Sequence, residues 1–176
     1  MSQLERIKAA VRDVPDFPKE GILFKDLTPI LLDPELLEAT HQLLLDAVSD
    51  LRGQVHVVAG MESRGFWFGP GLARALGAGF IPIRKPGKLP WKTRAASYAL
   101  EYGENTLEVH QDAVREGQGV LIVDDLLATG GTANAARELV ESLGGKVLAY
   151  SFLVELDFLA GRDRLDGARV ESLIHY

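Results

Sequence analysis

No cysteine occurs among the 176 residues, which removes disulfides, thiolate zinc sites and cysteine nucleophiles together. A reducing, cytoplasmic setting suits that composition. No stretch approaches the ~20 consecutive apolar residues that a membrane span needs. The first residues also lack the basic start and apolar run of a signal peptide. Basic charge is scarce: 19 Lys and Arg stand against 25 Asp and Glu, a net charge of −6. That balance gives no net basic face for a phosphate backbone, which argues against a nucleic-acid partner. Two common phosphate loops are missing as well, the GxxxxGK[ST] loop of nucleotide triphosphatases and the GxGxxG turn of dinucleotide-binding domains. Repeats, low-complexity segments and linkers are absent, so one domain is expected over residues 1–176.

What is present alternates between helix-like and strand-like patterns, the order expected of a parallel α/β sheet. Ser2-Gln3-Leu4-Glu5 has capping-box spacing ahead of a helix over 4–11. Pro15 and Pro18 imply an extended loop. Asp33-Pro34 places a cap residue before proline at the first helical position. Apolar residues then recur at helical spacing to Leu51, with Gly53 as the stop. Strands are predicted over 55–59, 80–83, 120–123 and 147–154, and helices over 66–76, ended by Gly77, and 133–143, ended by Gly144. Residues 97–102 and 106–110 alternate around Gly103-Glu104-Asn105, which reads as a hairpin. Ligands of such sheets bind beyond the carboxyl ends of the strands, where the loops 60–65 and 124–132 fall.

The second of those loops carries the chemistry. The run Val120-Leu121-Ile122-Val123 ends in Asp124-Asp125, and Leu126-Leu127-Ala128-Thr129-Gly130-Gly131-Thr132 leads into a helix. Gly130 and Gly131 allow a ligand close to the backbone. Loop N–H groups and the helix N-terminus make an anion site, to which Thr129 and Thr132 add hydroxyl donors. Carboxylates beside it would repel a bare anion, but they accept hydrogen bonds from a sugar diol. Alone, Asp-Asp at a strand end is a loop start or a helix cap. Phosphate recognition at one end and diol recognition at the other describe a ribose 5-phosphate.

This segment closely resembles the phosphoribosyl-pyrophosphate motif of the type I phosphoribosyltransferases, and the similarity runs from Phe17 to about Leu165. The resemblance implies a mostly parallel twisted central sheet flanked by helices, Rossmann-like, with a small hood over the base from residues 1–32 and a flexible hairpin lid. In it, Ala128, Thr129, Gly130, Gly131 and Thr132 hold the 5′-phosphate, and Asp124 and Asp125 face the ribose hydroxyls. Gly60-Met61-Glu62-Ser63-Arg64-Gly65, otherwise a plain strand-to-helix turn, resembles the pyrophosphate loop, with Glu62, Ser63 and Arg64 at the ligand and a cis peptide before Ser63.

The basic run Arg84, Lys85, Lys88, Lys92 and Arg94 contains no acid. By itself it reads as solvated surface, but beside a polyanion it forms a positive funnel. The resemblance takes Arg84 and Lys88 to pyrophosphate, across a dimer interface. Ser97-Tyr98-Ala99-Leu100-Glu101-Tyr102-Gly103 resembles the closing hairpin, with Glu101 catalytic near the base nitrogens and Tyr102 in the lid. Gly21-Ile22-Leu23-Phe24-Lys25-Asp26 resembles the base-binding stretch. There Phe24 stacks on a purine, Leu23 and Lys25 read it, and Leu156 packs on its other face. Lys25 stands where most relatives carry arginine.

The implied reaction is purine salvage: N9 of adenine displaces pyrophosphate at C1′ of phosphoribosyl pyrophosphate, giving AMP. Mg²⁺ would arrive with that substrate, with no protein cage of its own, and the enzyme would be a homodimer. The residues alone leave two alternatives open. One is the same chemistry on hypoxanthine or xanthine. The other is a regulator that binds phosphoribosyl pyrophosphate without catalysis.

Overall fold

Capping chemistry opens the chain as its spacing predicts. Ser2 Oγ accepts from the Glu5 N–H at 3.2 Å and Glu5 Oε2 from the Ser2 N–H at 2.6 Å, starting helix α1 (Gln3–Ala10). The structure, a computed structural model, describes residues 1–99 and 104–176. Two compact units divide it, Met1–Leu43 and Leu44–Tyr176.

In the first unit the proline-marked loop is a two-stranded antiparallel ribbon of β1 (Arg12–Pro15) and β2 (Leu23–Asp26). The sequence conceals it because each strand has four residues and none of β1 is buried, so no period-2 pattern develops. Helix α2 (Thr28–Leu32) follows. Asp33 Oδ1 then accepts the N–H groups of Glu35 and Leu36 at 2.9 and 3.1 Å, capping α3 (Pro34–Ala47) as expected. The helix stops short of Gly53, and its predicted last turn is a separate 3-10 turn, Ser49–Leu51.

The second unit is built on β3 (Val55–Met61), α4 (Gly69–Leu76), β4 (Gly79–Ile83), β5 (Thr93–Ala99), β6 (Glu104–His110), β7 (Gly119–Leu127), α5 (Gly131–Ser142), β8 (Lys146–Glu155) and β9 (Val170–His175). Strands β4, β3, β7, β8 and β9 form one wholly parallel sheet in that order. β7 is central, which explains why Val120 to Val123 are apolar without alternation: all four are buried. Ala135, Ala136, Leu139 and Val140 of α5 are buried too, and a fully buried Leu or Val contributes roughly 1.5–3 kcal/mol. Gly77 ends α4 in the left-handed conformation, φ 73°.

Three differences bear on the site. A 3-10 turn, Arg64–Phe66, precedes α4, so the predicted helix over 66–76 begins later, next to Pro70. β7 continues past Val123 to Leu127, making Asp124 and Asp125 strand residues rather than loop residues. β5 and β6 pair antiparallel with Ser97 opposite Thr106, as a hairpin requires, but Glu104 and Asn105, expected in the turn with Gly103, are paired strand residues, and residues 100–103 lie outside the described ones.

Candidate active site

Because side chains alternate along a strand, the extension of β7 sends the two acids to different places. Asp124 borders a pocket, whereas Asp125 is buried at 1% exposure with Arg64 Nε 3.1 Å from its Oδ2. The contact pairs charges without an aligned hydrogen bond. Asp124 Oδ1 accepts the Asp125 N–H at 2.9 Å. Burial, then the charge of Asp125, pushes the Asp124 carboxyl well above the ordinary range. Burial also raises Asp125, against the pull of Arg64.

A carboxyl raised in the folded state binds its proton more tightly there than in the unfolded chain. Its contribution to stability is complete below the unfolded value of about 3.9 and is lost as pH climbs through the raised one. At neutral pH the acidic pair therefore opposes folding. Asp124→Asn is expected to raise the melting temperature at pH 7 by about 2–4 °C, the shift from ~1 kcal/mol in a chain of this size. In calorimetry that gain should shrink toward pH 4. A gain independent of pH, or a loss, would contradict the electrostatic reading.

Beyond Leu127 the chain turns through residues 128–132 into α5. Gly130 sits at the helix N-cap with φ 79° and has no side chain with which to cap the first N–H groups. These donors, together with the helix dipole, favour an anion. The pocket of about 150 Å³ is lined by Arg64, Asp124, Ala128, Thr129, Gly130, Gly131 and Thr132, seven residues expected at the ligand. Met61 and Phe152 line it too; in the sequence both look like ordinary core. Tyr98 of the hairpin reaches the same turn, its hydroxyl 3.1 Å from Thr132 Oγ1. Gly161 supports the turn from behind: a Cβ there would strike the Ala128 carbonyl oxygen and come within 3.0 Å of Leu127 Cγ. Nothing in the linear pattern announces either contact.

The loop after β3 lies against the acidic pair. The Glu62–Ser63 peptide is cis. At Gly65 a Cβ would be 2.5 Å from the Val123 carbonyl oxygen, so only glycine brings the Arg64–Phe66 turn this close to β7. Glu62 does not point its carboxylate at an anion. Oε2 accepts from the Lys85 N–H at 3.0 Å and from Arg84 Nε at 3.3 Å, and Oε1 pairs with Lys88 Nζ at 3.0 Å. Burial works against this charge, but the Lys85 N–H, then Lys88 and Arg84, hold the Glu62 carboxyl below its ordinary value. Glu62, Arg84 and Lys88 are thus gathered in one cluster, and Ser63 is exposed.

The remaining candidates are spread more widely. In the first unit, Leu23 is half exposed and Phe24 meets Phe17 edge to face at 5.0 Å. Lys25 Nζ is 2.6 Å from Asp13 Oδ1, so its side chain is committed to β1. Leu156 follows β8 and donates its N–H to the Leu127 carbonyl at 3.0 Å. Glu101 and Tyr102 lie outside the described residues. Glu155, Asp157 and His175 have ligand atoms close enough to share a cation. However, Glu155 is bound to Arg162 Nε at 2.6 Å and His175 Nδ1 to Asp157 at 2.8 Å, which reads as a tie between the ends of β8 and β9.

Known proteins resemble the chain along nearly its whole length. The family model described as "Phosphoribosyl transferase domain" matches residues 28–167. The adenine phosphoribosyltransferase of Nitrosococcus oceani is 56% identical, over 98% of this chain and 100% of its own. The crystal structure of adenine phosphoribosyltransferase from Thermoanaerobacter pseudethanolicus superposes with a TM-score of 0.94 at 54% identity, covering 98% of this chain and 99% of that one. The Saccharomyces cerevisiae enzyme, complexed with an imino-altritol bisphosphate and adenine, gives 0.92 at 44% identity over 97% and 98%. Sequence and fold are thus shared with these relatives along nearly the whole chain, and the chain belongs to the phosphoribosyltransferase family, among the adenine phosphoribosyltransferases.

Proposed function

We propose that the chain salvages adenine, converting it with phosphoribosyl pyrophosphate into AMP and pyrophosphate. The observation that carries this reading is the pocket at the end of β7. An uncapped helix N-terminus for a phosphate and a carboxylate for a diol share one small cavity. The names of the relatives supply the base.

Residues 128–132 would take the 5′-phosphate and Asp124 the ribose hydroxyls, while Asp125, expected there too, is buried on the other face of β7 and would instead hold Arg64. Arg64, with Arg84, Lys88 and the backbone around Glu62 and Ser63, would take the pyrophosphate. The difficult part of the displacement is charge separation, because the ribose becomes cationic while pyrophosphate leaves. Fixed donors aimed at the leaving group lower that barrier, and holding C1′ against N9 removes the entropic cost of their encounter. Asp124 beside the pocket would also stabilise a cationic ribose.

Leu23, Phe24, Lys25 and Leu156 are the base-binding residues in this proposal, from the hood of residues 1–32 and from the end of β8. Lys25 would act through its backbone, since its side chain is held by Asp13. Adenine offers an N6 donor and an N1 acceptor where hypoxanthine offers the reverse. A backbone donor–acceptor pair therefore discriminates strongly, because the wrong base leaves buried groups unpaired. Glu101 would act near the base nitrogens and Tyr102 in the lid.

Mg²⁺ bound to the substrate would neutralise pyrophosphate charge, and the half-buried Asp124 carboxylate suits its water shell. A cytoplasmic homodimer completes the proposal; among the described residues no helix is long and apolar enough to cross a membrane. The test is a coupled assay with Mg²⁺, phosphoribosyl pyrophosphate and each purine. Adenine is expected to exceed hypoxanthine in kcat/KM by about 10⁴-fold, the scale of polar-group discrimination. Equal turnover of hypoxanthine would sink the choice of base. Binding without pyrophosphate release from any purine would sink catalysis.

A further inference from the structure

Two of the three cations proposed for pyrophosphate, Arg84 and Lys88, already share one carboxylate. Glu62, with only 10% of its side chain exposed, holds Lys88 on Oε1 and Arg84 on Oε2. The two pairings differ in kind. Arg84 is fixed at two points, Nε on Glu62 and Nη1 on the Lys88 carbonyl at 3.1 Å. It is fixed again through its backbone, which exchanges hydrogen bonds with Glu108 at 2.9 and 2.7 Å. Lys88 is held less firmly: its side chain is half exposed, and among the described residues its ammonium pairs with Glu62. A lysine ammonium is a point charge on a flexible stem with three rotatable donors, so it changes partners more readily than a forked guanidinium.

Glu62 also tolerates the exchange. If Lys88 leaves, Oε2 keeps the Lys85 N–H and Arg84, so no buried carboxylate is stranded. Pyrophosphate, with more charge and more acceptor oxygens than a carboxylate, wins the ammonium.

We infer that Glu62 is a positioning residue that competes with pyrophosphate for Lys88, holding the ammonium while the site lacks its polyanion and drawing it back when pyrophosphate leaves. This rests on the pyrophosphate assignment above and adds a role the assignment lacks: a carboxylate that weakens product binding. It also offsets part of the positive charge of the basic run between turnovers.

The test is calorimetric titration of the full-length protein with magnesium pyrophosphate. The Lys88 end of the pair is half exposed, where an ion pair is worth ~1 kcal/mol, so Glu62→Gln is expected to tighten pyrophosphate about 3- to 5-fold. Lys88→Gln weakens it, and Glu62→Gln adds nothing in the Lys88→Gln background. Glu62→Asp, whose shorter arm retreats from the Lys88 ammonium, shifts affinity the same way by less and serves if the glutamine variant does not fold. A merely structural glutamate would weaken pyrophosphate when replaced, so weaker or unchanged binding overturns the inference, as does tightening that persists without Lys88. Failure of the wild-type protein to bind pyrophosphate at all would overturn the assignment beneath it instead.

Discussion

Replacing Gly130 by alanine is expected to lower kcat/KM for phosphoribosyl pyrophosphate by about 100-fold, the cost of displacing reacting groups by roughly an ångström. Two penalties combine. Gly130 has φ 79°, and a Cβ in the left-handed region costs roughly 1–2 kcal/mol. That Cβ would also collide with the Gly161 carbonyl oxygen and come within 3.2 Å of Arg164 Cβ, so the turn cannot keep its place even where the strain is tolerated. Residues 128–132 would move off the line from which their N–H groups converge. Gly130→Asn separates the two penalties: asparagine accepts the left-handed conformation but still brings a side chain. It should recover stability more than activity. Steady-state kinetics and chemical denaturation of both variants check this, and unchanged kinetics in Gly130→Ala would remove the turn from the phosphate site.

Asp124→Ala is expected to weaken phosphoribosyl pyrophosphate by about 10- to 100-fold, matching the 1.5–3 kcal/mol of a hydrogen bond to a charged group. The carboxyl beside the pocket is pushed well up by burial, then by the charge of Asp125. A diol donating to it favours the ionised form and draws the carboxyl back down, so binding releases a proton. Affinity for the sugar phosphate should accordingly rise with pH through the raised range of the acidic pair. The slope should flatten in Asp124→Ala. Calorimetry in buffers of different ionisation enthalpy measures both quantities. Unchanged affinity, or a proton release the variant retains, would move the diol contact elsewhere.

The sequence was most legible where one local interaction decides the structure. Asp33-Pro34 caps a helix because its own oxygen accepts the next free N–H groups, and Gly77 ends one because only glycine enters the left-handed region cheaply. Val120 to Val123 read as a central strand because nothing polar interrupts them. The turn 128–132 was legible for the same reason: its glycines and threonines are contiguous.

Contacts between distant segments left little trace in the linear pattern. Lys88 looks like one member of a basic run, yet its partner is Glu62, on a loop after another strand. Arg64 and Asp125 are sixty-one positions apart by number, and their pairing depends on Gly65 touching the Val123 carbonyl. The ribbon of β1 and β2 is too short and too exposed to impose a period. The continuation of β7 through both acids hid the division of labour between Asp124 at the pocket and Asp125 in the interior, since carboxylates read as the end of a strand.

The central claim is that the segment from Val120 to Ala133 holds a ribose 5-phosphate. A crystal structure of the chain with AMP tests it most directly. The account predicts the phosphate oxygens on the N–H groups of residues 128–132 and the ribose hydroxyls on the carboxylate of Asp124. AMP bound with its phosphate away from that turn, or with its diol turned from Asp124, would contradict it.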